Sequence, residues 1–184
     1  IECTIRQPAG LEGGETLKFS LRLAQRGFAT FAPRCFLWQY RDREYLDAVR
    51  WLAARHPGVK GLAKMLHDAR RAVDLLQGLP FVDPERIGCI GHSLGGKETL
   101  FLAGFDERVR ATVSCEGGIG LRFCNWDAPW YLGEEIRAEG FPLENHQVLA
   151  LVPPRAFLLI GGDATDGDKS WPFLQAVEPI YDVL

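Results

Sequence analysis

One stretch of the sequence combines a nucleophile with the small residues needed to expose it: Gly91-His92-Ser93-Leu94-Gly95. The run that leads into it, Ile87-Gly88-Cys89-Ile90-Gly91, is too continuously apolar to be half exposed and predicts a central parallel strand. Residues 97–103 behind it predict a helix. A strand that turns sharply into a helix forces the residue between them into a strained conformation, and glycines two before and two after leave room for the turn. Ser93 would then stand clear of the sheet as a nucleophile for a carbonyl carbon. The amides that open the helix point to the same place, so the Leu94 N–H would donate to a developing oxyanion, an interaction worth about 3 kcal/mol in a water-free site. The plainer alternative is that Gly-Ser-Gly makes a tight strand-to-helix turn and nothing more.

The elements that must hold this turn follow from the pattern on either side. Residues 14–26 place Leu17, Leu21 and Ala24 at helical spacing and are stopped by Gly27. Phe28-Ala29-Thr30-Phe31-Ala32 then predicts a strand closed by Pro33. Two helices are expected over residues 42–55 and 59–77, with a break at His56-Pro57-Gly58 between them. The second carries an apolar stripe of Leu62, Met65, Leu66, Ala69, Val73 and Leu76. Residues 109–115 and 156–160 predict two more buried strands. Strands alternating with helices indicate an α/β fold, a three-layer α/β/α sandwich on a mostly parallel sheet, with residues 1–184 as one domain. Residues 117–147, rich in Trp, Gly and Pro, are the expected loop-rich wall of a pocket.

Composition bounds the function classes. A chain of 184 residues with 47% hydrophobic and 24% charged residues matches an ordinary globular domain and excludes a disordered or collagen-like chain. The net charge of −3 hides an asymmetry, with nine Lys/Arg against four acids in residues 34–71 and thirteen acids against six bases in residues 106–184. The basic stretch lacks aromatic interleaving or a reading motif, so a solvated helix face is expected and nucleic acid is not an expected partner. No run of about 18 apolar residues exists to span a bilayer, and no basic-then-apolar leader opens the sequence, so no membrane partner is expected. The compartment stays open, cytoplasmic if the true N-terminus carries no signal peptide. Five cysteines with no C-x-x-C pair and four scattered histidines give no ligand spacing, so no metal or other cofactor is expected. Reduced thiols are the expected state, with a Cys115–Cys124 bridge the minority alternative.

The chain resembles the α/β-hydrolase serine esterases, close to the dienelactone-hydrolase and acetyl-xylan-esterase branch. Besides the Ser93 run, the resemblance is carried by Leu23-Ala24-x-Arg26-Gly27-Phe28-x-Thr30-x-Ala32-Pro33, by Val82-Asp83-x-x-Arg86-Ile87-Gly88, and by residues 154–161, Pro-Arg-Ala-Phe-Leu-Leu-Ile-Gly. It spans about residues 15–184. Dienelactone hydrolases proper use cysteine as nucleophile; Ser93 departs from that toward ester hydrolysis. The resemblance implies a triad acid in the loop after the strand at 156–160, where Asp166 is the first choice, Asp163 an alternative, and Asp168 a cap of the following turn. Glu116 is a further alternative, since glucuronoyl esterases, which Gly95-Gly96-Lys97 also resembles, hold an acid after the preceding strand. By the same likeness Lys97 would contact sugar hydroxyls, against the plainer reading of an exposed helix lysine. Trp126 and Trp130, with Tyr131, would stack on sugar faces, although aromatics so spaced are more often packing. His92, beside Ser93, would line the pocket.

What the resemblance also implies, and the sequence lacks, is a histidine after the acid. His56, His67, His92 and His146 all precede Asp166. The third strand of that fold is missing as well, between the strand at Phe28 and that at Ile87. The expectation is therefore a fragment of a longer hydrolase, incomplete at both ends, whose catalytic histidine lies beyond Leu184. The expected activity is hydrolysis of small-molecule or carbohydrate carboxylic esters, acetylated sugars among them, through an acyl-enzyme. A non-catalytic binding module and a peptidase of the prolyl-oligopeptidase type are the rivals.

Overall fold

The computed structural model describes residue 14 and residues 18–38, 44–162 and 164–184. Three parallel strands form its sheet: β1 (Ile87–His92), β2 (Val109–Cys115) and β3 (Ala156–Ile160), in the spatial order β1-β2-β3. Their registers bring His92 beside Cys115, and Cys115 beside Ile160, so all three strands end at one level.

Among the described residues seven α-helices accompany the strands: α1 (Phe19–Ala24), α2 (Tyr45–Arg55), α3 (Gly61–Gln77), α4 (Leu94–Phe105), α5 (Asn145–Leu149), α6 (Trp171–Gln175) and α7 (Glu178–Val183). The helix α3 buries Leu62, Met65, Ala69, Ala72 and Val73, spaced three and four apart along one side as its sequence requires. By contrast α4 is buried almost all round, and it returns the chain from the end of β1 to the start of β2. Ala69, Val73, Ile87, Cys89, Leu102 and Val109 form the core between α3, α4 and the sheet. A second core gathers Leu100, Ala103, Ile119, Leu149, Val152 and Val177 where α5, α6 and α7 meet α4.

The C-terminal end of α3 is tied to the turn before β2 by ions. Arg108 donates from Nε to Asp106 at 2.7 Å and from one terminal nitrogen to Asp74 at 2.6 Å and Gln77 at 2.9 Å. A guanidinium shared between two carboxylates fixes both orientation and distance.

One expectation gives way. Residues 28–32 form no strand: Phe28 is 60% and Phe31 41% exposed. A strand exists only when a neighbour accepts its backbone hydrogen bonds, and residues 28–31 face β1 across a cavity of about 530 Å³. The mostly parallel, helix-flanked sheet is the one expected. The cores lie on the α3/α4 side, Leu158 is 54% and Ile160 43% exposed on the other, and on that other side Phe19, Ser20 and Leu23 of α1 line the cavity together with Gly88, Ile90, Ala111 and Val113. Of the helix expected over 14–26, the described residues show Phe19–Ala24, with Gly27 turning the chain at φ 87° as its terminator. Cys35, Cys89, Cys115 and Cys124 are all free thiols, so the Cys115–Cys124 bridge is not formed.

Glu98 is an ionisable group inside this framework. It is 4% exposed on α4, and burial first, with Asp68 adding repulsion, raises its carboxyl from 4.5 to about 8. The folded chain holds this proton while the unfolded chain releases it near 4.5. Glu98 thus costs no stability below about pH 4.5 and an increasing amount as pH rises to 8. Replacing Glu98 by Gln is expected to raise the melting temperature at pH 8 and leave it nearly unchanged at pH 4.5. Parallel melting curves for the two proteins at both pH values would contradict this.

Candidate active site

The turn that follows β1 is set by glycines. A Cβ at Gly91 would lie 2.2 Å from the carbonyl oxygen of Gly95, a distance no side chain tolerates. Between these two glycines Ser93 adopts φ 55° and ψ −112°, and its N–H donates to the Cys115 carbonyl at 2.8 Å. Ser93 is exposed although Gly91 and Leu94 on either side are buried. Leu94 opens α4, so its amide belongs to the first turn, whose N–H groups have no partner within the helix.

Glu116 makes the matching turn at the end of β2. Its φ is 50°, and Ser93 and Glu116 are the two non-glycine residues with positive φ among the described residues. The Glu116 N–H donates to the Ile160 carbonyl at 3.0 Å. Its carboxylate accepts from the Thr165 N–H at 2.6 Å, the Thr165 hydroxyl at 2.8 Å and the Asp166 N–H at 3.1 Å. Burial would raise this carboxyl, but those donors and the Gly162 N–H outweigh it and bring it down to about 2. Glu116 is therefore ionised throughout the neutral range, and it keeps partial exposure.

Asp166 sits on the other side of the same loops. It is 3% exposed, and its oxygens accept from the Gly118 N–H at 2.7 Å, the Ile119 N–H at 2.8 Å and the Ser170 hydroxyl at 2.9 Å. These bonds make it a brace between the loop after β2 and the loop after β3. Asp168 is exposed and opens the 3₁₀ turn over Asp168–Ser170, while Asp163 falls outside the described residues.

Three expected ligand-facing side chains are in the interior. Trp126 is fully buried, its ring set against Phe101 at 5.7 Å and Tyr131 at 5.9 Å, with Nε1 donating to the Gly118 carbonyl at 2.7 Å. A ring so enclosed supports the loop and offers no face to a sugar. Tyr131 is 3% exposed beside it. Lys97 is 1% exposed, so neither an exposed helix lysine nor an open sugar contact describes it; its Nζ donates to the Gly117 carbonyl at 2.6 Å. Trp130 and His92 are partly exposed.

Of the remaining histidines, His56 and His67 are exposed on the α2/α3 side, and His146 lies in α5 with its ring 6.2 Å from Phe173. No hydrogen bond among the described residues joins a histidine to Ser93, Glu116 or Asp166. Thr165 and Ser170 went unnoticed in the sequence. Their signal was weak, a hydroxyl one residue before and another four after an acid in a glycine-rich loop.

The Ser93 geometry has a measurable cost. A non-glycine residue held at such angles stores about 1–3 kcal/mol, and glycine adopts them freely. Ser93→Gly is therefore expected to stabilise the fold by about 1 kcal/mol, a rise in melting temperature of about 2–4 °C for a chain of this size. An unchanged or lower melting temperature would contradict the strain.

The dienelactone hydrolase family model matches residues 5–126. The putative hydrolase YtaP of Bacillus subtilis is 30% identical over 107 residues, 56% of this chain and 35% of that protein. The 4-O-methyl-glucuronoyl methylesterase 1 of Sodiomyces alcalophilus is 24% identical over 127 residues, 55% of this chain and 25% of that protein. Among solved structures, a glucuronoyl esterase from Solibacter usitatus superposes with a TM-score of 0.58 at 25% identity, covering 66% of this chain and 36% of that one. The chain thus spans about a third or less of the length of the curated relatives it matches. With its family model matched over more than half of the sequence, and with the parallel α/β sheet its neighbours share, the chain belongs to the dienelactone hydrolase family.

Proposed function

We propose that this chain supplies the nucleophile and the acid of a serine-dependent carboxylic ester hydrolase, and that its substrate is an ester of a carbohydrate. The observation that carries the reading is the pair of strained turns, Ser93 and Glu116, at the ends of adjacent parallel strands joined by the Ser93 N–H to Cys115 hydrogen bond. Ligand sites of open α/β sheets lie at this end of the strands, and strained non-glycine residues cluster where chemistry requires an unusual orientation. The names of the relatives supply the substrate class, since glucuronoyl esterases recur among both sequences and structures.

In this reading the turn after β1 is a nucleophile elbow. Ser93 Oγ bonds to the ester carbonyl carbon, its proton passing to a histidine of the whole protein that approaches Glu116. The carbonyl oxygen takes the negative charge and accepts from the Leu94 N–H. The same histidine returns the proton to the departing alcohol, and water then attacks the acyl-serine by the reverse sequence of proton transfers. Glu116, ionised at about 2, would orient the imidazole and balance its charge. Asp166, the first choice from the sequence, is less suited, because it is buried and both its oxygens are engaged by the backbone amides of residues 118 and 119.

The test uses the full-length gene product and its Ser93→Ala variant. A fluorophosphonate adduct in intact mass, and turnover of methyl or acetyl esters of sugars in preference to peptide amides, are expected for the parent. Ser93→Ala should lose the adduct and lower kcat by at least about 10⁴-fold. An unlabelled parent would overturn the proposal in favour of a binding module, and preferred cleavage of peptide amides would redirect it to a peptidase.

A further inference from the structure

The loop of residues 117–119 is held by three buried side chains, those of Lys97, Trp126 and Asp166. Lys97 donates to the Gly117 carbonyl at 2.6 Å and Trp126 to the Gly118 carbonyl at 2.7 Å. Asp166 receives the next two amides, those of Gly118 and Ile119. Two consecutive carbonyls and two consecutive amides are thus fixed, immediately after Glu116.

Lys97 is the member of this set that belongs to α4. It lies one helical turn beyond Ser93, its N–H donating to the Ser93 carbonyl at 3.1 Å, so it shares that face of the helix. The helix and the loop meet there without side chains: a Cβ on Gly96 would lie 2.8 Å from the Cys115 carbonyl oxygen, and one on Gly117 would lie 2.8 Å from the Gly96 carbonyl carbon. The Ser114 hydroxyl adds a bond to the Gly96 carbonyl at 3.0 Å. The Lys97 ammonium is closed in by the rings of Trp126 at 5.0 Å and Tyr131 at 5.3 Å. With 1% of its surface exposed it has no face left for a ligand.

Resting on the esterase reading above, we infer that Lys97 is a positioning residue: by holding the Gly117 carbonyl it fixes the turn that carries Glu116 relative to the helix that Ser93 opens, without touching the substrate. Its side chain spans from the nucleophile's helix to the acid's loop, so it sets the separation of the two groups that must share one imidazole. Geometry of this kind governs turnover more than binding, and a misplacement of about 1 Å costs about 100-fold.

The experiment compares Lys97→Met with the parent in the full-length protein. Methionine keeps the unbranched length against Trp126 and Tyr131 but donates nothing. Two substrates are used, a sugar ester and p-nitrophenyl acetate, which has no hydroxyl groups. The expected result is a fall in kcat of about 10- to 100-fold for both, with each KM within about twofold of the parent. A loss confined to the sugar ester and expressed in KM would overturn the inference and make Lys97 a substrate contact. Amide hydrogen exchange at Gly118 and Ile119 gives a second reading that needs no turnover. Faster exchange at these two amides in Lys97→Met, with the strands unchanged, is expected; unchanged exchange would overturn the clamp. If the parent hydrolyses neither ester, the esterase reading fails, and exchange alone decides whether Lys97 holds the loop. Should Lys97→Met not fold, Lys97→Gln, whose shorter amide falls short of Gly117, is read in the same way.

Discussion

A hydrogen bond of 2.8 Å from the Ser93 N–H to the Cys115 carbonyl joins the ends of two parallel strands where each leaves the sheet through a left-handed residue. Everything nearby accommodates that junction. Gly91 and Gly95 are small because their backbones almost touch, and Gly96 and Gly117 are small because the helix α4 and the loop after β2 do the same. The strain at Ser93 and Glu116 is sustained by bonds from neighbouring strands, by the Ser114 hydroxyl, and by a buried lysine. A turn that stored this strain without such support would relax into ordinary helix or coil.

The two acids illustrate how hydrogen bonding divides roles between identical chemical groups. Glu116 and Asp166 each accept several donors, but those of Glu116 come from the loop after β3 and those of Asp166 mainly from the loop after β2. Each acid therefore stitches the loop of the other strand, and together they lock both loops over the sheet's end. Glu116 retains access to solvent, whereas Asp166 does not. Access separates the group that could meet a partner from the group that serves as a brace.

Much of this was legible in the sequence where the signal is local. The turn at Ser93, the three strands and the amphipathic α3 follow from apolar periodicity and glycine placement, which act over a few residues. Residues 28–32 carry every local mark of a strand and yet form none, because pairing depends on a neighbour and not on the segment itself. The interior positions of Lys97 and Trp126 were equally hidden, since only the folded loop of residues 117–119 supplies the carbonyls that satisfy them. The choice between Glu116 and Asp166 was left open for the same reason. Distance along the chain says nothing about which backbone amides a carboxylate will meet.

The most direct test of the account is the rate at which a fluorophosphonate phosphonylates Ser93 in the full-length protein, with loss of fluoride, measured in Glu116→Gln and in Asp166→Asn under conditions where both remain folded. The account expects phosphonylation to slow by about 100-fold or more in Glu116→Gln, and much less in the folded fraction of Asp166→Asn, whose main effect is a lower melting temperature. Parent-like phosphonylation in Glu116→Gln, together with its loss in folded Asp166→Asn, would contradict the central claim and return the catalytic acid to the loop after β3.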